Sequence, residues 1–260
     1  MRYHAHDRKV RPAVVRVPAE YGPSRPTPRL PLVIAPHGRN VRPQANARAW
    51  GSLPARGGFV TVCPGGRGRV LDLHSWGYRG QIADLARMPK IVEATLPWIR
   101  VDASRIYAVG GSMGGQETLL LLGQHPRLLA GAVAIDSVTN FYRRYRDFAL
   151  SPLTIGQQML ARIEVGGTPE RNAVGYVLRS PTHWLRQVAD SGVPLSMWWS
   201  LADQVIKDQI HQSAHFYREV RKRRKRGRLE AVTGFWAHSE SFGTVQLPAA
   251  VRWLGLLDGV

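Results

Sequence analysis

Residues 105–116 read RIYAVGGSMGGQ, and the fold is decided there. Arg105–Val109 is short, apolar and rich in β-formers, which predicts a strand. From Gly114 to Leu122 the apolar residues crowd at helical spacing, which predicts a helix. The join, Gly110-Gly111-Ser112-Met113-Gly114-Gly115, fits G-x-S-x-G in the strand-to-helix setting that pattern requires. A serine at so sharp a turn needs neighbours without side chains two positions away, so that strand and helix can approach. The turn lifts the hydroxyl above the sheet edge. The helix aims its N-terminus at the same spot, which favours developing negative charge. The competing reading is a phosphate-binding turn, but neither a phosphate-loop lysine nor G-x-G-x-x-G accompanies it.

Outward from this turn, strands and helices alternate. Arg11–Val17 predicts an edge strand, and Leu32–Ala35 a strand ending at Pro36-His37-Gly38. A proline-punctuated stretch, with prolines at 18, 23, 26, 28 and 31, predicts an exposed connection between these two. Further strands are expected at Phe59–Cys63, Gly131–Ile135, Pro194–Ser200 and Leu229–Thr233. Helices are expected over Gln81–Ile99, despite Pro89 and Pro97, over Val205–Arg226 and over Ala249–Leu257. This alternation predicts an α/β fold, a mostly parallel sheet with helices on both faces, formed by residues 1–260 as one domain. Functional groups in such sheets gather beyond the C-terminal strand ends. His37, Ser112, Asp136, Asp203 and His238 all follow a strand. Residues 137–193 carry no strand pattern and are expected to form a lid or a set of covering helices.

A serine hydroxyl attacks well only when a base takes its proton and a carboxylate orients that base. His238 follows the last core strand and is the candidate base. Asp203 is the candidate acid, with Asp136 one strand earlier as its rival and a plain helix N-cap as its bland reading. The oxyanion of acyl transfer needs backbone N–H donors. Met113 offers one by position, and the loop holding Gly38 and Arg39 is expected to offer the second; otherwise His37-Gly38 is a simple turn. Trp236, Trp76 and Tyr78 lie beside strand ends and are candidate substrate-lining residues. Trp198 and Trp199 sit inside a strand and are expected in the core. His211 and His215 have a metal-pair spacing, but no H-E-x-x-H and no evident third ligand accompany them, so no metal is expected.

Taken together, Pro36-His37-Gly38, Gly110–Gly115, Ala202-Asp203-Gln204-Val205 and Trp236-Ala237-His238-Ser239 resemble the α/β-hydrolases. More narrowly, they resemble single-domain relatives of the prolyl-oligopeptidase catalytic domain and the esterases close to them. The resemblance runs from about Leu32 to Phe242. It implies Ser112 as nucleophile, Asp203 as acid and His238 as general base, in the chain order of that fold. It also implies backbone donors at Met113 and near Arg39, and no cofactor. Where that family often has His-Gly-Gly, this chain has His37-Gly38-Arg39, and Arg39 has the alternative of reaching a substrate carboxylate. No β-propeller precedes the domain, which turns the expectation from oligopeptidase towards an esterase of small substrates. A small peptidase is the alternative, because the serine turn fixes machinery and not substrate.

Composition sets the outer limits. A chain of 260 residues can bury a sizeable core. With Cys63 its one cysteine, it forms no internal disulfide. It contains no run of about 18 apolar residues, so no membrane span is expected. The N-terminus lacks the apolar stretch of a secretory signal, so the expected location is cytoplasmic. Lys and Arg number 36 against 18 Asp and Glu, a net charge of +18. Such a field attracts anions. The run Arg221–Arg226 with Arg228 concentrates seven of these charges, yet removing them still leaves about +11. The basicity therefore belongs to the whole chain. A hydrolase fold that binds polyanions without catalysis is the rival from another class, although a Ser, Asp and His in the right order are hard to explain that way.

Overall fold

The computed structural model describes residues 1–25, 28–150, 152 and 154–257. Pro26 of the expected exposed connection, Ser151 and Leu153 of the 137–193 segment, and residues 258–260 lie outside the described residues. The strands are β1 (Arg2–His4), β2 (Val10–Arg16), β3 (Arg29–Ile34), β4 (Val60–Pro64), β5 (Arg100–Gly111), β6 (Gly131–Ile135), β7 (Leu195–Ser200) and β8 (Leu229–Gly234). They form one sheet in the order β1-β2-β4-β3-β5-β6-β7-β8. Pairing is antiparallel from β1 to β2 and from β2 to β4, and parallel from β4 through to β8.

The helices are α1 (Pro43–Ala49), α2 (Leu53–Gly57), α3 (Arg79–Thr95), α4 (Met113–Gln124), α5 (Phe141–Asp147), α6 (Ile155–Val165), α7 (Ala173–Leu178), α8 (Leu185–Ser191), α9 (Ser213–Arg223) and α10 (Leu247–Trp253). Alternate strand residues feed two separate cores, as the two-residue side-chain period requires. Leu32, Ile34, Ala108, Ala132 and Met197 pack with α3, α4, α8 and α9. Val33, Val109, Val133, Ile135 and Trp198 pack with α1, α2 and α10. Strands buried on both faces read as unbroken apolar runs, which is why GAVAI and FVTVC are so plain in the sequence. The expected mostly parallel sheet with helices on both faces is what the chain forms.

Several boundaries differ from expectation; the closing helix, for one, is Leu247–Trp253 and not Ala249–Leu257. β2 is not the edge strand, because the three-residue β1 pairs outside it. α3 passes through Pro89 and stops at Thr95; Leu96 leaves the helical region at φ −128° and ψ 73°, as a following proline favours, so Gln81–Ile99 is cut short at Pro97. The expected helix Val205–Arg226 begins only at Ser213, and residues 201–212 form turns.

Between β6 and β7 the chain runs through α5, α6, α7 and α8. Phe141, Tyr145, Phe148 and Tyr176 form a third core with Trp76 and Met113. Glu164 ties this insertion to the loop after β4. Its carboxylate accepts from the backbone N–H groups of Arg69, Val70 and Leu71 and pairs with buried Arg179 at 3.0 Å.

Candidate active site

Ser112 joins β5 to α4 with φ 58° and ψ −123°. That conformation costs a non-glycine residue roughly 1–3 kcal/mol. Its N–H donates to the Ile135 carbonyl at 2.8 Å, and its own carbonyl accepts from Gln116 at 3.1 Å. The flanking glycines are demanded by close approach. A Cβ on Gly110 would run into the Gly114 carbonyl, and one on Gly114 into the Pro36 carbonyl. The turn therefore holds its serine only with bare neighbours on both sides.

Two loops meet this hydroxyl. His238, beyond β8, places Nε2 2.8 Å from Ser112 Oγ and Nδ1 2.8 Å from Asp203 Oδ2. A carboxylate at Nδ1 assigns the ring proton there, which leaves Nε2 as acceptor of the serine hydroxyl. Asp203 is buried beyond β7. Its Oδ1 accepts from the N–H groups of Val205 and Ile206, and its Oδ2 also accepts from Gln209 Nε2. Burial pushes its acidity down, but hydrogen bonds from His238, Gln209 and Ile206 outweigh burial and hold the carboxyl below its ordinary pKa. Its bond to His238 singles it out from Asp136. The N-cap reading fails, since no helix starts beside it.

Asp136 has another task. It is fully buried beyond β6, its Oδ1 accepting from Ser200 N–H at 3.0 Å. Its Oδ2 accepts from Trp236 Nε1 and from Ser239 N–H, both at 2.9 Å. It thus grips the chain on either side of His238. Burial raises its pKa, against hydrogen bonds that act the other way.

The loop after β3 lies across the mouth. His37 is fully buried, its Nδ1–H donating to the Gly38 carbonyl and its Nε2 accepting from Gly66 N–H. Burial lowers its pKa, so it stays neutral in this role. The N–H groups of Gly38, Arg39 and Met113 donate to no group among the described residues. Gly38, Arg39 and Ser112 line a cavity of about 270 Å³ with Val41, Ala49, Val205 and Phe242 among its apolar walls.

The three candidate substrate aromatics do not line this cavity. Trp76 is buried in the third core, its backbone N–H donating to Met113 Sδ and its ring 5.7 Å from Phe141. Tyr78 borders a separate cavity and carries the Arg179 guanidinium 5.3 Å over its ring. Trp236 turns its indole onto Asp136 and packs against the α10 side of the sheet. Position beside a strand end does not fix which way a ring turns. Trp198 and Trp199 are in the core. His211 and His215 do not share a helix, because His211 lies in the turns before α9 and bonds Asp208 at 2.6 Å.

A family model described as the prolyl oligopeptidase family matches residues 73–236, more than half of the chain. The chain belongs to the prolyl oligopeptidase family. That family comprises serine esterases and peptidases, and the fold of this chain is the α/β-hydrolase fold. A stretch of 107 residues is 32% identical to a bifunctional acetylxylan esterase/xylanase of Neocallimastix patriciarum, covering 40% of this chain. That stretch spans 15% of the relative's own length. S-formylglutathione hydrolase of Staphylococcus aureus superposes with a TM-score of 0.70 at 13% identity, covering 98% of this chain and 96% of that one. Acylaminoacyl peptidase of Pyrococcus horikoshii gives 0.70 at 16% identity, covering 98% of this chain and 40% of that one. At such identities the likeness is one of fold.

Two residues at the site hold positions whose contacts the sequence does not show. Asp136 was visible as a strand-end acid, but its grip on the His238 loop depends on Trp236, a hundred residues away. Arg144 of α5, buried near Asp203 and Arg39, left no signal in a basic chain.

Proposed function

We propose that this member of the family cleaves small carboxylic esters through an acyl-enzyme on Ser112. The supporting observation is the unbroken relay Ser112 Oγ–His238–Asp203, with both links at 2.8 Å, opening onto a small, largely apolar cavity. Ser112 Oγ forms a bond to the ester carbonyl carbon as its proton passes to His238 Nε2. Asp203 stabilises the resulting imidazolium and keeps it oriented. The N–H of Met113 and that of Gly38 or Arg39 receive the oxyanion, which is consistent with these donors having no acceptor among the described residues. His238 then protonates the departing alkoxide as the carbonyl–oxygen bond breaks. Water, deprotonated by His238, releases the acid and restores Ser112. No metal or organic cofactor takes part. In the same reading residues 137–193 are a cap carried on one hydrolase domain.

At about 270 Å³ the cavity lies just under the usual span of small-molecule pockets, roughly 300–1,000 Å³. This favours short acyl chains. The test is hydrolysis of p-nitrophenyl esters of graded chain length, comparing native protein with Ser112→Ala. The expected result is a loss of at least about a thousandfold in the variant, with the shortest acyl groups preferred. Equal turnover by both proteins would overturn the role of Ser112. Faster cleavage of matched p-nitroanilides than of esters would replace the esterase by the peptidase.

A further inference from the structure

Two arginines at or beside this site have guanidinium groups with no hydrogen-bonding or ion-pairing partner among the described residues. Arg39 lines the Ser112 cavity from the loop after β3. Arg144 reaches from α5 and borders an adjoining cavity; Val205 is a wall of both. Arg144 is only 5% exposed, with its guanidinium 4.3 Å from the centroid of the Phe148 ring. Among the described residues, neither guanidinium makes a hydrogen bond or an ion pair. The two are close enough to repel each other, and burial lowers the pKa of both, that of Arg144 to about 10. Both remain charged at neutral pH.

The neighbouring carboxylates do not resolve this. Asp203 attracts Arg144, but its hydrogen bonds are committed to Val205, Ile206, Gln209 and His238. Asp147 also attracts Arg144, but the two form no ion pair. A desolvated guanidinium with no acceptor is costly, and two that repel are costlier. A planar anion between them removes both costs, because each guanidinium fork matches a carboxylate in two-point hydrogen bonding.

We propose that Arg39 and Arg144 form a carboxylate-binding subsite, so that the substrate is an ester with a second, ionised carboxyl group a few bonds from the scissile carbonyl. The inference rests on Ser112 as the reacting group, and it names the class of ester that group meets. Monoesters of short dicarboxylic acids fit if the carboxylate is on the acyl side. Esters of a carboxylated alcohol fit if it is on the leaving side.

The kinetic test compares kcat/KM for p-nitrophenyl hemiglutarate with that for p-nitrophenyl valerate, and for the butyrate of 5-hydroxy-2-nitrobenzoate with p-nitrophenyl butyrate. One anionic member should be favoured by about ten- to a hundredfold, the range of one or two charge-assisted hydrogen bonds. The favoured pair identifies the side. Arg144→Gln and Arg39→Gln should each lower the anionic-to-neutral ratio about tenfold. Should Arg144→Gln fail to fold, the less buried Arg39 carries the test. A ratio at or below one in native protein, or one that neither substitution moves, would overturn the subsite and leave the esterase intact.

Calorimetry on Ser112→Ala separates the two readings. Monomethyl glutarate should bind at least about tenfold tighter than methyl valerate, and lose that advantage with Arg39→Gln added. That result without turnover of any ester by native protein keeps the subsite and discards the esterase. Equal binding of the two discards the subsite whatever the turnover.

Discussion

The carboxylates beside Ser112 and the carboxylate that ties the 137–193 insertion to the loop after β4 are all buried, and they are satisfied by opposite means. Glu164 meets a guanidinium, that of Arg179, together with three backbone N–H groups. Its charge is cancelled where it stands. Asp203 and Asp136 receive backbone N–H, amide, indole and imidazole donors, and no hydrogen bond from lysine or arginine. Their negative charge is held in place but not neutralised. On the proposed function, a charge left over is useful beside an imidazole that must become a cation, whereas a joint between helix and loop has no use for one. The same carboxylate group thus serves joining and the proposed catalysis with different neighbours.

The largest effect should come from neutralising the site. Asp203→Asn preserves an acceptor for Val205 and Ile206 but presents the wrong partner to His238 Nδ1. We expect kcat to fall by about 10⁴, with stability reduced by no more than about 2 kcal/mol. Steady-state kinetics and urea unfolding on one preparation check both halves. An active Asp203→Asn protein would mean that the retained charge has no catalytic use.

The insertion should show the reverse. Glu164→Ala leaves Arg179 buried and unpaired, which should cost about 3–5 kcal/mol of unfolding free energy. The folded fraction should still turn over ester within about tenfold of native. Replacing both residues, as Glu164→Leu with Arg179→Met, should recover most of the lost stability, because an apolar pair of similar volume is about as good as a buried ion pair. A double variant no better than the single one would show that the three amides, and not the cation, dominate this joint.

The smallest effect comes from a carboxylate that belongs to neither arrangement. Glu117, on α4, is fully buried and accepts from the Ser75 hydroxyl, with no cation bonded to it. Burial raises its pKa from 4.5 to about 7. A folded-state pKa above the unfolded one gives stability that is complete below pH 4.5 and lost as pH rises through 7. Glu117→Gln should therefore gain on native protein by about 1–3 kcal/mol across that window. Urea unfolding of both proteins from pH 4.5 to pH 8 measures it. A constant difference across the window would mean that Glu117 ionises in the fold as easily as outside it.

How much of this was legible beforehand depended on whether a feature is local. Ser112 with its bare neighbours, the apolar strand runs and the strand-end positions of Asp203 and His238 are all written in contiguous residues. The start of α9 is not. Residues 203–212 spend their polar groups on distant partners: Asp203 on His238, and Gln212 on the backbone of Thr139 and Asn140. Turns that serve these contacts replace the helix that spacing alone predicts. β1 is only three residues, RYH, too short to show alternation. The direction of the aromatic rings is non-local for the same reason, since the Trp236 indole is set by Asp136 and the Trp76 ring packs against Phe141 and Phe148. The basic run is likewise partly consumed locally: Glu219 pairs with Lys222 and Arg223, and Arg224 turns back onto the Val193 and Arg228 carbonyls.

β6 supports both sides of the bond between Ser112 and His238. Its last carbonyl, Ile135, holds the N–H of Ser112, and the next residue, Asp136, holds the chain around His238. Thermal displacement of that strand therefore carries imidazole and hydroxyl along together, as two lamps on one beam. Breathing of the sheet is common-mode for this pair, and their separation is disturbed only by motions that bend the two attachments differently.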